Sequence, residues 1–259
     1  MTALQGVGVL VTRPEQQAMP LCRLLENQGA STLRLPAIEI KALGNRRETA
    51  ARFSALEKFD VIIFTSTNAV RFGASLLDQK RDLTLAALGP ATARALNQAG
   101  YRVAIQPAGT FDSESLLLHP KLEHLAGHRI LIVKGRDGRP FLELELAQRG
   151  AEVATAEVYE RVPAIPSGTV LAAVLASFTA GAVQVITATS LEIANNLLQI
   201  ATPALRREFE RAQWLVPGGR VAAGLRERGL AAPLLQADSA EDQDLVSALL
   251  RWRRGTSGA

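Results

Sequence analysis

Residues 61–67 read VIIFTST and residues 183–189 read VQVITAT, so that in each a short, mostly apolar run ends in hydroxyl side chains. A continuous apolar run of this length, without strict polar alternation, is typical of a strand buried on both faces of a parallel sheet. Ser and Thr after such a run mark the start of a helix, because they are preferred N-cap residues. The two stretches therefore predict strand-to-helix units.

Similar short apolar runs occur along the whole chain, separated for the most part by about 10–15 residues of helical periodicity. They lie at residues 7–11, 61–64, 85–88, 103–105, 130–133, 153–156, 183–186, 214–216 and 233–235. Four predicted helices end at a glycine that leads into the next strand, as a left-handed helix C-cap requires, at Gly29, Gly100, Gly150 and Gly229. This alternation predicts an α/β protein with parallel sheets covered on both faces.

Three stretches of the first half of the chain recur in the second half in the same order. The matching pairs are residues 6–11 and 127–133, 61–67 and 183–189, and 88–90 and 217–219. Recurrence of this kind indicates an internal duplication. We therefore expect two halves with a similar arrangement of strands and helices.

The composition is that of an ordinary globular protein, with 259 residues, of which 47% are hydrophobic and 21% charged. It excludes disordered and fibrous classes, and the length predicts two modest domains. Cys22 is the single cysteine, so no internal disulfide can form, and a reducing cytoplasm fits. The formal net charge of +4 permits an anionic ligand without requiring one.

Secretion, a membrane span and nucleic-acid binding are all disfavoured. The N-terminus lacks the positive region and the cleavage site of a signal peptide. Residues 162–191 carry no charge, but Pro, Gly and hydroxyl residues interrupt the apolar runs, so we expect a short helix and then a buried strand. Aromatic residues make up only 5%, and the basic residues 251–254 are explained by a helix end complementing its own dipole.

Seven predicted strand-to-helix loops are rich in glycine and hydroxyl residues, at residues 12–15, 65–68, 89–92, 110–113, 134–138, 187–190 and 217–220. Ligands of open parallel sheets bind beyond the carboxyl ends of the strands, where such loops lie. Helix capping alone explains any single loop. Together, the backbone N–H groups and hydroxyls predict a cradle for a polyanion.

The usual catalytic signatures are absent: the sequence contains no dinucleotide fingerprint, phosphate-binding loop, nucleophile elbow or zinc-protease motif. His119, His124 and His128 are close in sequence, but no acidic or thiol ligand falls at a fitting spacing for a metal. Residues 35–40 and 156–163 are extended, carry a proline at one end, and suit inter-domain connectors. Tyr159 lies in the second connector, and two roles remain open for it: an apolar anchor of the connector or a proton donor.

These stretches together resemble the uroporphyrinogen-III synthase family of tetrapyrrole biosynthesis. The similar segments are residues 10–14, 64–70, 88–93, 150–153 leading to 158–161, and the helix at 245–250. The resemblance implies two flavodoxin-like domains, each a doubly wound parallel sheet, joined by two extended linkers. Domain 1 would comprise residues 1–36 and 164–254, domain 2 residues 41–157, the linkers residues 37–40 and 158–163, and a flexible tail residues 255–259.

The resemblance also implies a cyclising hydro-lyase of heme biosynthesis that uses no metal and no organic cofactor. The linear tetrapyrrole hydroxymethylbilane would lose its hydroxyl, be attacked at the substituted carbon of its terminal ring to form a spiro intermediate, and close with that ring inverted. Tyr159 falls on the family's tyrosine and would assist departure of the hydroxyl. The residues expected to bind the substrate are Arg13, Thr65, Ser66, Thr67, Gly89, Thr92, Lys134, Arg136, Thr187, Thr189, Ser190, Gly218 and Gly219.

The second half departs from the family pattern at two loops. Ala188 stands where the family often has Ser, and residues 218–221 read GGRV where the family commonly has Gly-Pro-x-Thr. The alternative interpretation is a non-catalytic bilobal sensor that binds an anionic metabolite. As partners we expect a small tetrapyrrole substrate, no nucleic acid and no membrane, for a cytoplasmic monomer in at most transient contact with the preceding enzyme of the pathway.

Overall fold

Short buried strands alternate with helices throughout the computed structural model, which describes residues 2–43, 56–77, 83–109, 112–136 and 138–256. The strands are β1 (Gly8–Val11), β2 (Ser31–Arg34), β3 (Ile38–Ala42), β4 (Val61–Phe64), β5 (Leu85–Ala87), β6 (Val103–Ile105), β7 (Arg129–Gly135), β8 (Glu152–Pro163), β9 (Val185–Thr187), β10 (Gln213–Pro217) and β11 (Leu234–Ala237). The helices are α1 (Glu15–Asn27), α2 (Thr67–Gly73), α3 (Pro90–Gln98), α4 (Ser113–Leu116), α5 (Phe141–Gln148), α6 (Gly168–Thr179), α7 (Leu191–Ile200), α8 (Pro203–Arg211), α9 (Gly218–Glu227) and α10 (Asp242–Thr256). The expected α/β class with parallel sheets is confirmed.

The chain divides into two units, which are described separately. Unit 1 is Met1–Glu39 together with Val162–Ala259, and unit 2 is Ile40–Arg161. The segments predicted as extended connectors belong to strands here: β3 begins at residue 38 of the first, and the second is the end of the long strand β8. Of the predicted tail at residues 255–259, the first two positions belong to α10, and residues 257–259 lie outside the described residues.

The sheet of unit 1 has the strand order β2-β1-β9-β10-β11, and the pairs β1–β2, β1–β9, β9–β10 and β10–β11 are parallel. The central strand β1 begins with a glycine because the backbone of residue 182 approaches closely: a Cβ atom on Gly8 would lie 1.7 Å from the Ala182 carbonyl oxygen. Helices α1 and α10 pack together and share one apolar cluster with β1. Both ends of the described chain are thereby anchored in one core.

The sheet of unit 2 has the strand order β3-β8-β7-β4-β5-β6, and the pairs β7–β8, β4–β7, β4–β5 and β5–β6 are parallel. Alternate residues of β4 enter different clusters, with Ile62 and Phe64 in one and Val61 and Ile63 in the other. All four side chains are buried, which is the pattern of a strand covered on both faces. The apolar run at residues 61–64 therefore lies in the middle of its sheet.

The internal duplication accounts for the two strand orders. When β1, β9 and β10 are matched to β7, β4 and β5, as the repeated sequence stretches require, the order β2-β1-β9-β10-β11 becomes β8-β7-β4-β5-β6. Each half of the sequence contributes strands to both sheets. The four helix C-caps predicted at Gly29, Gly100, Gly150 and Gly229 are confirmed, with φ between 79° and 89°.

Candidate functional site

Tyr159 lies on β8 in unit 2, and its hydroxyl is held by a second hydroxyl. The Oη atom of Tyr159 is 3.1 Å from Oγ of Ser66, within hydrogen-bond distance. Ser66 is the N-cap of α2, and its Oγ accepts a hydrogen bond of 3.0 Å from the backbone N–H of Ala69. The helix thereby fixes the serine, and the serine holds the tyrosine hydroxyl.

The ring of Tyr159 is confined by Phe72 and Gly135. Phe72 stacks on it with a centroid distance of 6.0 Å and an interplanar angle of 26°. A register shift in the β7–β8 pair places Gly135 opposite Tyr159, and a Cβ atom there would lie 2.5 Å from Cζ of the ring. No real Cβ contact is that short, so the ring position requires glycine. Phe72 was not predicted as part of the site, and Gly135 was predicted only as a member of the loop at residues 134–138.

A cleft of about 300 Å³ in unit 2 opens beside this tyrosine. Tyr159 and Thr65 line it, and the charged side chains on its described lining are Lys134, Arg136, Arg139, Arg161 and Glu143. The lining carries four cations and one carboxylate, and two more carboxylates, Glu157 and Glu160, pair with Arg136 beside it, so these charges together leave an excess of +1. Arg guanidinium and Lys ammonium groups bind carboxylates by charge-assisted hydrogen bonds, so the lining suits an anionic ligand.

The cations of the cleft differ in how firmly they are held. Lys134 forms an ion pair with Glu143, both side chains being mostly buried, and its Nζ also donates to the Gly138 carbonyl oxygen at 3.3 Å. Arg136 is more exposed and pairs with Glu160 at 2.7 Å and with Glu157 at 3.8 Å. Lys134 is therefore a fixed charge, whereas the solvent-facing pairs of Arg136 are easily exchanged for a ligand carboxylate.

The other predicted residues of unit 2 lie at the start of α2 and α3. Thr65 donates from Oγ1 to the Val133 carbonyl oxygen at 3.3 Å and faces the cleft. Gly89 is the N-cap of α3, and Thr92 in its first turn is buried. Thr67 lines a different cavity of unit 2, of about 620 Å³, rather than the cleft beside Tyr159.

In unit 1, two of the predicted residues are engaged by the fold itself. Arg13 forms an ion pair with Asp242 at the start of α10 and donates to the Ala240 carbonyl oxygen. Thr187 is fully buried, and its Oγ1 donates to the Leu10 carbonyl oxygen at 3.2 Å. These contacts hold unit 1 together, and a role of either residue in ligand binding stays a prediction.

The remaining predicted residues of unit 1 surround the starts of two helices. Ser190, next to Thr189, caps α7 by accepting from the Ile193 N–H at 3.2 Å. Gly218 opens α9 with φ at +58°, and a Cβ atom on the next residue, Gly219, would lie 3.9 Å from Oε1 of Gln236. Their backbone N–H groups belong to helix N-termini, which favour anions.

Comparison with known proteins assigns the family. The model described as "Uroporphyrinogen-III synthase HemD" matches residues 20–247 of this chain. The chain belongs to the uroporphyrinogen-III synthase family. The resemblance stated from the sequence motifs is confirmed, and the sensor alternative is not favoured.

Members of the uroporphyrinogen-III synthase family are similar to this chain over nearly its whole length. The enzyme of Escherichia coli (strain K12) is 30% identical over 249 residues, which cover 94% of this chain and 100% of the relative. That of Salmonella typhimurium is 32% identical over 250 residues, with the same coverage.

Among solved structures, the synthase of Helicobacter pylori matches with a TM-score of 0.59 at 18% identity, over 95% of this chain and 99% of that one. A mutant synthase of Thermus thermophilus matches with a TM-score of 0.56 at 23% identity, over 98% and 100%. The last two matches show the fold alone.

No group of three or more His, Cys, Asp and Glu side chains in the described part of the chain is arranged to hold a metal ion. None of the described helices is both long enough and apolar enough to cross a membrane.

Proposed function

We propose that this chain is a uroporphyrinogen-III synthase, which closes the linear tetrapyrrole hydroxymethylbilane into uroporphyrinogen III. The observation that carries the proposal is the family match over residues 20–247. The substrate has acetate and propionate groups on every ring, and the cationic cleft beside Tyr159 offers partners of the opposite charge. The net charge of the cleft and the family match therefore support the same activity.

The two units are proposed to be flavodoxin-like domains. Each contains five strands in the order 2-1-3-4-5 once its strands are numbered through the duplication, and that is the flavodoxin order. The domain limits at residues 1–36 with 164–254 and at 41–157, and the linkers at 37–40 and 158–163, belong to this proposal. So does a cytoplasmic monomer that needs no metal or organic cofactor and contacts the preceding pathway enzyme transiently at most.

Tyr159 is proposed to supply the proton that lets the substrate hydroxyl depart. The Tyr159 proton passes to that hydroxyl oxygen, the carbon–oxygen bond breaks, and water departs. The methylene carbon that remains is electron-poor and conjugated to its pyrrole. The substituted carbon of the terminal ring attacks this methylene, and the spiro intermediate rearranges so that the ring is inverted. Ring closure releases one proton, which restores Tyr159, so that water is the only by-product.

Positioning carries most of the catalysis in this proposal. The substrate also closes without inversion in the absence of any enzyme, so the protein must hold the terminal ring where only its substituted carbon reaches the methylene. Fixed charges serve this purpose better than mobile ones because they need no reorganisation. Lys134, held by Glu143, is such a charge, while Arg136, Arg139 and Arg161 add binding energy along the cleft.

The experiment supplies freshly prepared hydroxymethylbilane to the purified, metal-stripped protein, oxidises the products and separates the uroporphyrin isomers. The type III isomer in clear excess over the reaction without protein is expected. Type I alone, from protein shown to be folded, would refute the proposal and favour the sensor alternative. Activity that returns only when a metal is added would refute the metal-free mechanism.

The role of Tyr159 is tested with a matched pair of variants, because the chain has just two tyrosines. Tyr159→Phe is expected to lower kcat by about 100-fold, the lower range for a general acid, with KM changed much less. Tyr101→Phe is the control, since the Tyr101 hydroxyl donates to the backbone carbonyls of Ala74 and Leu77 at 3.2 and 3.1 Å. Equal losses in kcat and in substrate affinity for Tyr159→Phe would indicate a structural anchor instead.

A further inference from the structure

The hydroxyls of Ser66 and Tyr159 share a single hydrogen bond, and its direction decides what Tyr159 can donate. Each hydroxyl has one hydrogen and two acceptor lone pairs. At 3.1 Å, one hydrogen lies between the two oxygens. If Tyr159 donates to Ser66, its proton is occupied, but if Ser66 donates to Tyr159, the tyrosine proton is available to a ligand in the cleft.

The surroundings of Ser66 favour it as the donor. Its Oγ already accepts from the Ala69 N–H at 3.0 Å, and its carbonyl oxygen accepts from the Val70 N–H at 3.2 Å. Accepting a hydrogen bond polarises a hydroxyl and makes it a better donor in its turn. The extended backbone of Ser66 and the helix cap hold the side chain in place, so the serine cannot turn away from Tyr159.

Tyr159 is equally unable to leave Ser66. Phe72 stacks on its ring, and the α-carbon of Gly135 comes so close that any side chain there would collide with the ring. The Tyr159 carbonyl oxygen also accepts from the Arg136 N–H at 2.8 Å. Ring and backbone are therefore held at several points, and Oη has one described side-chain partner, Ser66.

We propose that Ser66 is a positioning residue: it donates its hydroxyl proton to Oη of Tyr159, so that the Tyr159 proton is directed into the cleft. After that proton has passed to the leaving hydroxyl, the same Ser66 donor stabilises the negative oxygen left on Tyr159 until ring closure returns a proton. The inference rests on the proposed function, and it assigns Ser66 an action through Tyr159 instead of the direct contact with substrate expected from the sequence.

The test is a double-mutant cycle in kcat with Ser66→Gly, Tyr159→Phe and the double variant. Glycine removes the hydroxyl but remains an acceptable N-cap residue, so α2 is retained. Ser66→Gly is expected to lower kcat about tenfold with KM changed by less than about twofold. In the Tyr159→Phe background the same change is expected to cause no further loss, because there is no proton left to direct.

Two further variants separate positioning from helix capping. Ser66→Thr keeps a hydroxyl at this position and is expected to restore most of the kcat lost in Ser66→Gly. Ser167→Gly removes a cap of the same kind in unit 1, where Ser167 accepts from the Val170 N–H at 3.3 Å, and is expected to leave kcat unchanged. Circular dichroism of each variant confirms that it is folded.

The possible outcomes are distinct. Losses that multiply in the double variant, or an increase in KM without a change in kcat, would overturn the inference and indicate that Ser66 contacts the substrate itself. Failure of Ser66→Thr to recover activity would also overturn it. Absence of type III product from the unaltered protein would overturn the proposed function, and the inference with it.

Discussion

Substituting Gly135 by alanine is expected to displace the ring of Tyr159 and so to couple a steric change to both stability and activity. The new Cβ would lie 2.5 Å from Cζ, 2.7 Å from Cε2 and 2.9 Å from the hydroxyl oxygen of Tyr159. Ordinary carbon–carbon contacts begin at about 3.5 Å, so the ring has to retreat by about 1 Å. We expect a displacement of this size to break the 3.1 Å hydrogen bond with Ser66.

The size of the effect follows from the packing. Overfilling a packed site costs about 1–3 kcal/mol, which corresponds to a fall in Tm of roughly 2–12 °C for a protein of this size. Misplacing a catalytic group by about 1 Å lowers turnover by up to about 100-fold. Gly135→Ala is therefore expected to lower both Tm and kcat, with the larger relative effect on kcat.

Thermal unfolding followed by circular dichroism, together with the isomer-resolved activity assay, measures the two effects. Gly168→Ala is the matched control, because a Cβ atom at the start of α6 meets no atom within 4 Å. In a Tyr159→Ala background the collision is absent, so Gly135→Ala is expected to cost little further stability there. A Gly135→Ala protein with unchanged Tm and unchanged kcat would refute the steric argument.

Two other perturbations test a buried thiol in unit 1 and the ion pair that lines the cleft of unit 2. Burial raises the pKa of the Cys22 thiol above its ordinary value. The free energy of unfolding should therefore fall as pH rises past the thiol pKa of the unfolded chain. Urea unfolding at pH 7 and pH 10 measures this contribution of the thiol, which Cys22→Ala should lack. Glu143→Gln leaves Lys134 without its ion-pair partner and adds one positive charge to the cleft. We therefore expect a loss of about 3 kcal/mol in the free energy of unfolding and a lower KM for the anionic substrate. Glu145→Gln on the same helix is the control, and a KM that rises in Glu143→Gln alone would contradict the assigned role of the pair.

Much of the fold was predictable because it depends on local physics. The runs at residues 61–64 and 130–133 are apolar at every position, which is typical of a strand covered on both faces, and both occupy the middle of the unit 2 sheet. The glycine C-caps were predictable because a helix that turns tightly into a strand needs a left-handed residue. The strand β2 (Ser31–Arg34) was predicted only from the glycine at residue 29 that leads into it. It has no apolar run of its own, because it lies at the edge of its sheet, where exposed polar side chains are tolerated.

The candidate site was predictable only in part. Tyr159 was identified from its place in the chain and from the family resemblance, and hydroxyls at the ends of buried strands were recognised as helix caps. Their pairing was not, since Ser66 and Tyr159 are 93 residues apart and meet because β7 lies between β4 and β8 in the sheet. Gly135 carries no local signal either, because its φ angle is not in the left-handed region and the need for glycine arises from a ring on the neighbouring strand.

The sequence by itself determined the class of the fold, the internal duplication and the family, because periodicity, capping and repeated motifs are properties of neighbouring residues. The tertiary structure alone decided which side chains share a cleft, that Lys134 is held by Glu143, and that Arg13 is engaged by Asp242 within unit 1. Such contacts depend on strand order, register and the close approach of distant backbones. A local sequence pattern does not predict them, because they exist only in the packed chain.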